Sequence, residues 1–90
     1  MIWHESIKDR RHVELGLKKG RKMSGIYLVC TTKDKKMEIM TCEEAFKPVN
    51  KNLELTIIGV AQGKANAIEL VADIYRDYFD EHGSLEGIGQ

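Results

Sequence analysis

GKANAIELVADIYRDYFDEH, residues 63–82, decides how this chain folds. Ala67, Ile68, Leu70, Val71, Ala72, Ile74, Tyr75, Tyr78 and Phe79 recur at helical spacing. Asn66, Glu69, Asp73, Arg76, Asp77 and Asp80 fill the opposite stripe in steps of three and four, so an alternation of period two fails. Asn66 with Glu69 offers a capping box, with a start one turn earlier as the other reading, and Gly83 suits the left-handed position after a last turn. The apolar arc is wide, which predicts that this helix is covered on more than one side.

Three strands are expected before it. Ile26 to Thr32 (IYLVCTT) and Met37 to Cys42 (MEIMTC) are apolar and rich in strand-forming residues, with the polar run Lys33 to Lys36 between them, and so read as a hairpin. Leu53 to Val60 (LELTIIGV) reads as a third strand, after a loop marked by Pro48, Asn50 and Asn52. Within that loop Glu43 to Phe46 suits a single helical turn, with Phe46 as an anchor. The first 22 residues are less patterned. Val13, Leu15 and Leu17 alternate with polar residues, and Gly16 disfavours a helix, so a short strand is expected there, with a helical or disordered segment as the alternatives. The fold class that follows is α+β: a three- or four-stranded, mainly antiparallel sheet with one long C-terminal helix packed on it. Ninety residues suffice for one domain, 1–90, with residues 84–90 as a frayed tail.

Setting Thr32 opposite Met37 places Ile26, Leu28, Cys30, Met37 and Ile39 on one sheet face and Tyr27, Val29, Met40 and Cys42 on the other. In that register the two cysteines point to different sides and cannot bridge. Both faces are apolar, and one helix covers only one of them. The other needs the N-terminal segment or a second copy of the chain, and this makes Tyr27, Val29, Met40 and Cys42 candidate interface residues of a homodimer.

Composition narrows the partners. The chain is 42% hydrophobic and 31% charged, with fourteen basic and fourteen acidic residues, so neither wholesale disorder nor a wholly basic nucleic-acid binder fits. The charge is nevertheless two-ended. From Lys8 to Lys22, the cations Lys8, Arg10, Arg11, Lys18, Lys19, Arg21 and Lys22 face only Asp9 and Glu14, while from Glu69 onward six acids face Arg76. These ends are expected to attract each other, within one molecule or between two copies; the sharper reading gives the seven cations a nucleic acid through its phosphates. The sequence shows neither a signal-peptide core nor a membrane span, and two isolated cysteines do not make a secreted disulfide framework, so a cytoplasmic protein is expected.

Motifs of chemistry are few. Gly59-Val60-Ala61-Gln62-Gly63-Lys64 stands between a strand and a helix start, where backbone N–H groups hold anions in other proteins, making Gly59, Gly63 and Lys64 candidates for a phosphate or other anion. The run is one residue short of GxxxxGK, and Ala65 replaces the hydroxyl of a P-loop. It departs equally from the KH-domain loop, with an extra residue between its glycines and a strand where that family has a helix. His4, His12 and His82 lack metal-ligand spacing and read as surface residues, and Cys30 and Cys42 as small strand hydrophobes. Asp73, Asp77 and Asp80 share the solvent stripe of the helix, and Tyr75, Tyr78 and Phe79 its packing side. No nucleophile, base and orienting group assemble from spacing, and no cofactor is implied. The reading that results is a non-enzymatic, self-associating assembly module, with anion binding and nucleic-acid binding as alternatives.

Overall fold

A computed structural model of the chain describes residues 1–34, 36–48 and 54–82, with side chains as far as Asp80. Its elements are β1 (Ile2–Trp3), α1 (Arg10–Lys19), β2 (Ile26–Thr31), β3 (Met37–Thr41), α2 (Cys42–Ala45), β4 (Thr56–Gln62) and α3 (Lys64–His82). They form an α+β domain around one four-stranded sheet in the order β1-β4-β2-β3. The sheet is mixed: β2 pairs antiparallel with both β3 and β4, and β1 runs parallel to β4. No helix among the described residues is long and apolar enough to cross a membrane.

α3 is the helix that the spacing of residues 63–82 predicts. It begins directly after β4, with Gly63 alone at the corner and in a left-handed conformation (φ 83°) that a side chain would strain. Asn66 Nδ2 donates to the Gln62 carbonyl at 2.7 Å and helps hold the corner. Nineteen residues make α3 about 28 Å long. Ala67, Leu70, Val71 and Ile74 pack with Val29, Ala61, Tyr27 and Ile58 on one face of the sheet.

The N-terminal segment corrects the expected strand. Residues 10–19 form α1, with Val13, Gly16 and Leu17 turned toward the sheet and Leu15 left 46% exposed. Steps of three and four account for this burial; the alternation of Val13, Leu15 and Leu17 does not. Both ends are capped. Asp9 Oδ1 accepts from the His12 N–H at 3.1 Å, and Gly20 takes φ 66° while the Gly20 and Arg21 N–H groups donate to the Leu17 and Gly16 carbonyls. Gly16 does not break the helix. It lets α1 lie directly against the Met23 side chain.

The hairpin forms as expected, but one residue out of the expected register. Thr31, not Thr32, stands opposite Met37, and the Thr32 N–H donates to the Lys36 carbonyl at 3.0 Å to close the turn. A one-residue shift moves every β3 side chain to the other face. Met40 and Cys42 therefore join Ile26, Leu28 and Cys30 beneath α1 and α2, while Met37 and Ile39 turn to the α3 side. The four residues expected to share an interface are thus divided between the two faces, and Val29, Met40 and Cys42 are buried within the protomer. The two cysteines lie on the same side of the sheet, both free and buried.

Strand β4 covers Thr56–Gln62, starting three residues and ending two residues later than expected, and Leu53 lies outside the described residues. Val29 faces Gly59 but Cys30 faces Ile57, so Ile58 is the extra residue of a bulge. The Cys42 turn is α2, capped by Thr41, whose side chain accepts from the Glu44 N–H while Glu44 Oε1 reaches back to the Thr41 N–H. Phe46 packs against the α1-side core, the anchor the sequence suggests. Gly83 and residues 84–90 lie outside the described residues.

Candidate functional site

Packing on the two sheet faces is unequal. A sheet of four strands spaced about 4.8 Å apart is close to 19 Å wide, and one helix is about 10 Å across, so each face needs about two helices. The first face has α1 and α2. Among the described residues the second has α3, which packs on β4 and β2. β3 lies beyond it at the edge of the sheet, with Met37 and Ile39 half-buried on that same face.

The sides of α3 differ in kind. Glu69, Asp73 and Asp77 look toward β1 and share a cleft of about 340 Å³ with Ile2, His4 and Glu5. The opposite side looks toward β3. Along it Ile68, Ala72, Tyr75 and Phe79 succeed one another in steps of four, three and four, the spacing of a seam between two packed helices. Ile68 is 52% and Phe79 51% exposed, Ala72 is exposed and Tyr75 half-buried. Among the described residues, Met37 and Ile39 of β3 and this flank of α3 form one apolar shelf.

The candidate cations all fall on the other side of the molecule. Arg10, Arg11, Lys18 and Lys19 belong to α1, Lys8 precedes it, and Arg21 and Lys22 follow it, all exposed. The acidic stripe of α3 lies across the sheet. Among the described residues the two charged ends make no ion pair with each other: the ion pairs are Glu14–Lys18 at 3.5 Å, Lys22–Glu43 at 3.8 Å, Asp73–Arg76 at 2.6 Å and the His4–Glu69 contact at 3.4 Å. Arg10 lies over the Trp3 ring at 5.9 Å.

The glycines considered for an anion are placed by packing. Gly59 lies inside β4 rather than in a loop, and a Cβ there would stand 2.8 Å from Leu70 Cδ2. Its bare backbone lets α3 settle onto the sheet. The Gly63 N–H already donates to the Gly25 carbonyl at 2.7 Å, and Lys64 is an exposed first residue of α3. The three do not form a cradle of free amides.

A histidine network escaped the sequence reading. His4 is 7% exposed, not on the surface. Its Nδ1 accepts the Ser6 N–H at 3.0 Å and lies 2.8 Å from Ser6 Oγ, which in turn accepts the Gln62 N–H at 2.9 Å. A backbone N–H can only donate, so Nδ1 is the acceptor and the ring proton of the neutral imidazole sits on Nε2, facing Glu69. Glu5 joins them, with one ligand-type atom from each of the three residues within 4.8 Å of the others. With Nε2 carrying the proton, the imidazole offers Glu69 a donor instead of offering a cation a lone pair. The network pins the end of β1 to the end of β4 and to α3. No sequence spacing announces it, because Ser6 and Gln62 meet only through the parallel pairing of β1 with β4.

Burial pushes the Cys30 thiol up to about 11, with smaller contributions from the charge of Glu38 and from Cys42. Cys42 is raised as well, mainly by burial, and its Sγ–H points at the Ile26 carbonyl at 3.7 Å. Both thiols stay protonated and act as core hydrophobes. The chain matches no protein-family model, no curated protein and no solved structure.

Proposed function

We propose that this protein is a self-associating assembly module, a two-fold dimer in which α3 of each protomer packs beside the other's α3, on the β3 side of the sheet. The observation that carries the reading is the exposed apolar flank of α3 beside Met37 and Ile39 of β3. Such a shelf is wider than the isolated exposed hydrophobics of an ordinary surface.

The flank is self-complementary. Running two copies of α3 antiparallel about an axis near Asp73 and Ile74 sets Ile68 against the partner's Phe79 and Ala72 against the partner's Tyr75. Large then meets small or aliphatic in each layer, as interdigitating side chains require. Of the residues named in the sequence reading, Met40 and Cys42 lie in the α1-side core and Tyr27 and Val29 against α3, so the reading rests instead on the exposed flank of the wide helix. Two reduced, buried thiols suit a protein of the cytoplasm.

Sedimentation equilibrium tests this. Ile68→Glu and Phe79→Glu should each weaken association by at least about 30-fold, as loss of a central anchor worth about 2 kcal/mol does. A wild-type chain still monomeric at about 1 mM, where even 4 kcal/mol of association would be visible, would remove the reading.

A further inference from the structure

The face opposite the shelf holds a cleft of a different character. It opens between the start of α1 and the stretch from Arg21 to Ile26, and has a volume of about 490 Å³, within the range of about 300–1,000 Å³ typical of small-molecule sites. Its floor is apolar, made by Ile7, Val13, Met23 and Ile26 from the α1-side core. Its rim is cationic, with Lys8 on one side and Arg21 and Lys22 on the other. The acid that lines it, Asp9, has Oδ1 committed to capping α1 through the His12 N–H. Among the described residues Lys8 and Arg21 make no ion pair, and Lys22 reaches Glu43 only at 3.8 Å. An apolar floor beneath unneutralised cations matches a ligand with a flat or aliphatic body and one anionic end.

We infer that this cleft binds a small amphipathic anion, a carboxylate or phosphate monoester on an apolar body, with the body over Met23 and Val13 and the anion between Lys8 and Arg21. Arg21 supplies the planar, two-pronged donor suited to either head group, and Lys8 the point charge. Met23 is suited to the floor because its flexible thioether adjusts to the body it meets. The site is independent of the proposed dimer, since it lies on the other side of the sheet from α3.

Amide NMR titration of the full chain with naphthyl phosphate, naphthoate, naphthol and inorganic phosphate tests it. One or both naphthyl anions should shift the amides of Val13, Met23 and Ser24, and which of them binds more tightly identifies the head group. Naphthol and inorganic phosphate should each bind at least about tenfold more weakly, since each lacks half of the ligand. Lys8→Glu combined with Arg21→Glu, both at exposed positions, should abolish the shifts while Ile68→Glu leaves them intact. Equal binding of naphthol, equal binding of inorganic phosphate, or shifts centred on α3 would each overturn the inference. So would a short oligonucleotide that binds more tightly than the naphthyl anions and spreads its shifts along Arg11, Lys18 and Lys19, which would assign the face to a polyanion instead.

Discussion

Replacing Gly59 by alanine should destabilise the fold although alanine is tolerated by the backbone of most strands. The added Cβ would lie 2.8 Å from Leu70 Cδ2, with Val29 Cβ at 3.5 Å and the Ile2 carbonyl oxygen at 3.6 Å. Carbon atoms rest at about 3.5–4.0 Å, so α3 or the Leu70 side chain must retreat by roughly 1 Å. Leu70 is 4% exposed and has little room to do so. Overpacking of this kind costs about 1–3 kcal/mol, and loss of glycine's freedom in the unfolded chain returns about 0.4–1 kcal/mol, leaving a net loss of about 1–2 kcal/mol. In a domain of this size each kcal/mol lowers the melting temperature by about 4–8 °C. Urea unfolding of Gly59→Ala, Leu70→Ala and the double variant at one protein concentration isolates the contact. Leu70→Ala alone should cost about 2–5 kcal/mol, and Gly59→Ala should cost nothing further in that background. Additivity within about 0.5 kcal/mol would refute the close approach of β4 and α3 as the reason for glycine at position 59.

Gly16→Ala offers the contrasting case. Its Cβ also runs into a side chain, but that of Met23, which is flexible and half-buried. A gain in helix propensity of about 1 kcal/mol opposes the crowding, so thermal unfolding should place this variant within about 1 kcal/mol of wild type. Asp9→Ala removes the cap on the His12 N–H and should cost about 1 kcal/mol, whereas Asp9→Asn or Asp9→Ser should retain most of the stability in the same melts. Cys30 carries a pH signature. Folding raises its pKa from 9.0 to about 11, so its contribution is complete below pH 9 and is lost as pH rises toward 11. Stability measured by urea unfolding should fall across that interval, and the fall should be shallower in Cys30→Ala; an identical alkaline slope in the variant would count against burial of the thiol.

The parts of the fold legible in sequence are those set by local periodicity and punctuation. The stripes of residues 63–82 demand a helix, the run from Lys33 to Lys36 separates two strands, and the Thr41 and Glu44 spacing encodes a cap. α1 was obscured because Val13, Leu15 and Leu17 satisfy a period of two as well as Val13, Gly16 and Leu17 satisfy a helical step. Asp9 and Gly20, standing at its two ends, are the signal that separates the readings. The candidate surface was partly legible: the wide apolar arc of α3 predicts cover on a second side, while the residues assigned to the sheet interface were displaced by a single step of register.

Sequence alone determined that this chain has a long amphipathic helix after a set of strands, that its charge is divided between its ends, and that its apolar area exceeds what one helix can cover. Only the tertiary structure decided which face each β3 side chain occupies, that α1 rather than a second copy covers one side, and that the cations of α1 and the described acids of α3 lie on opposite sides of the sheet. The physical reason is range. Helix stripes and caps are written within a few neighbouring residues, but register, the approach of Gly59 to Leu70 and the tie from His4 through Ser6 to Gln62 depend on segments far apart in the chain, whose alignment is chosen by how well both faces of the sheet pack at once.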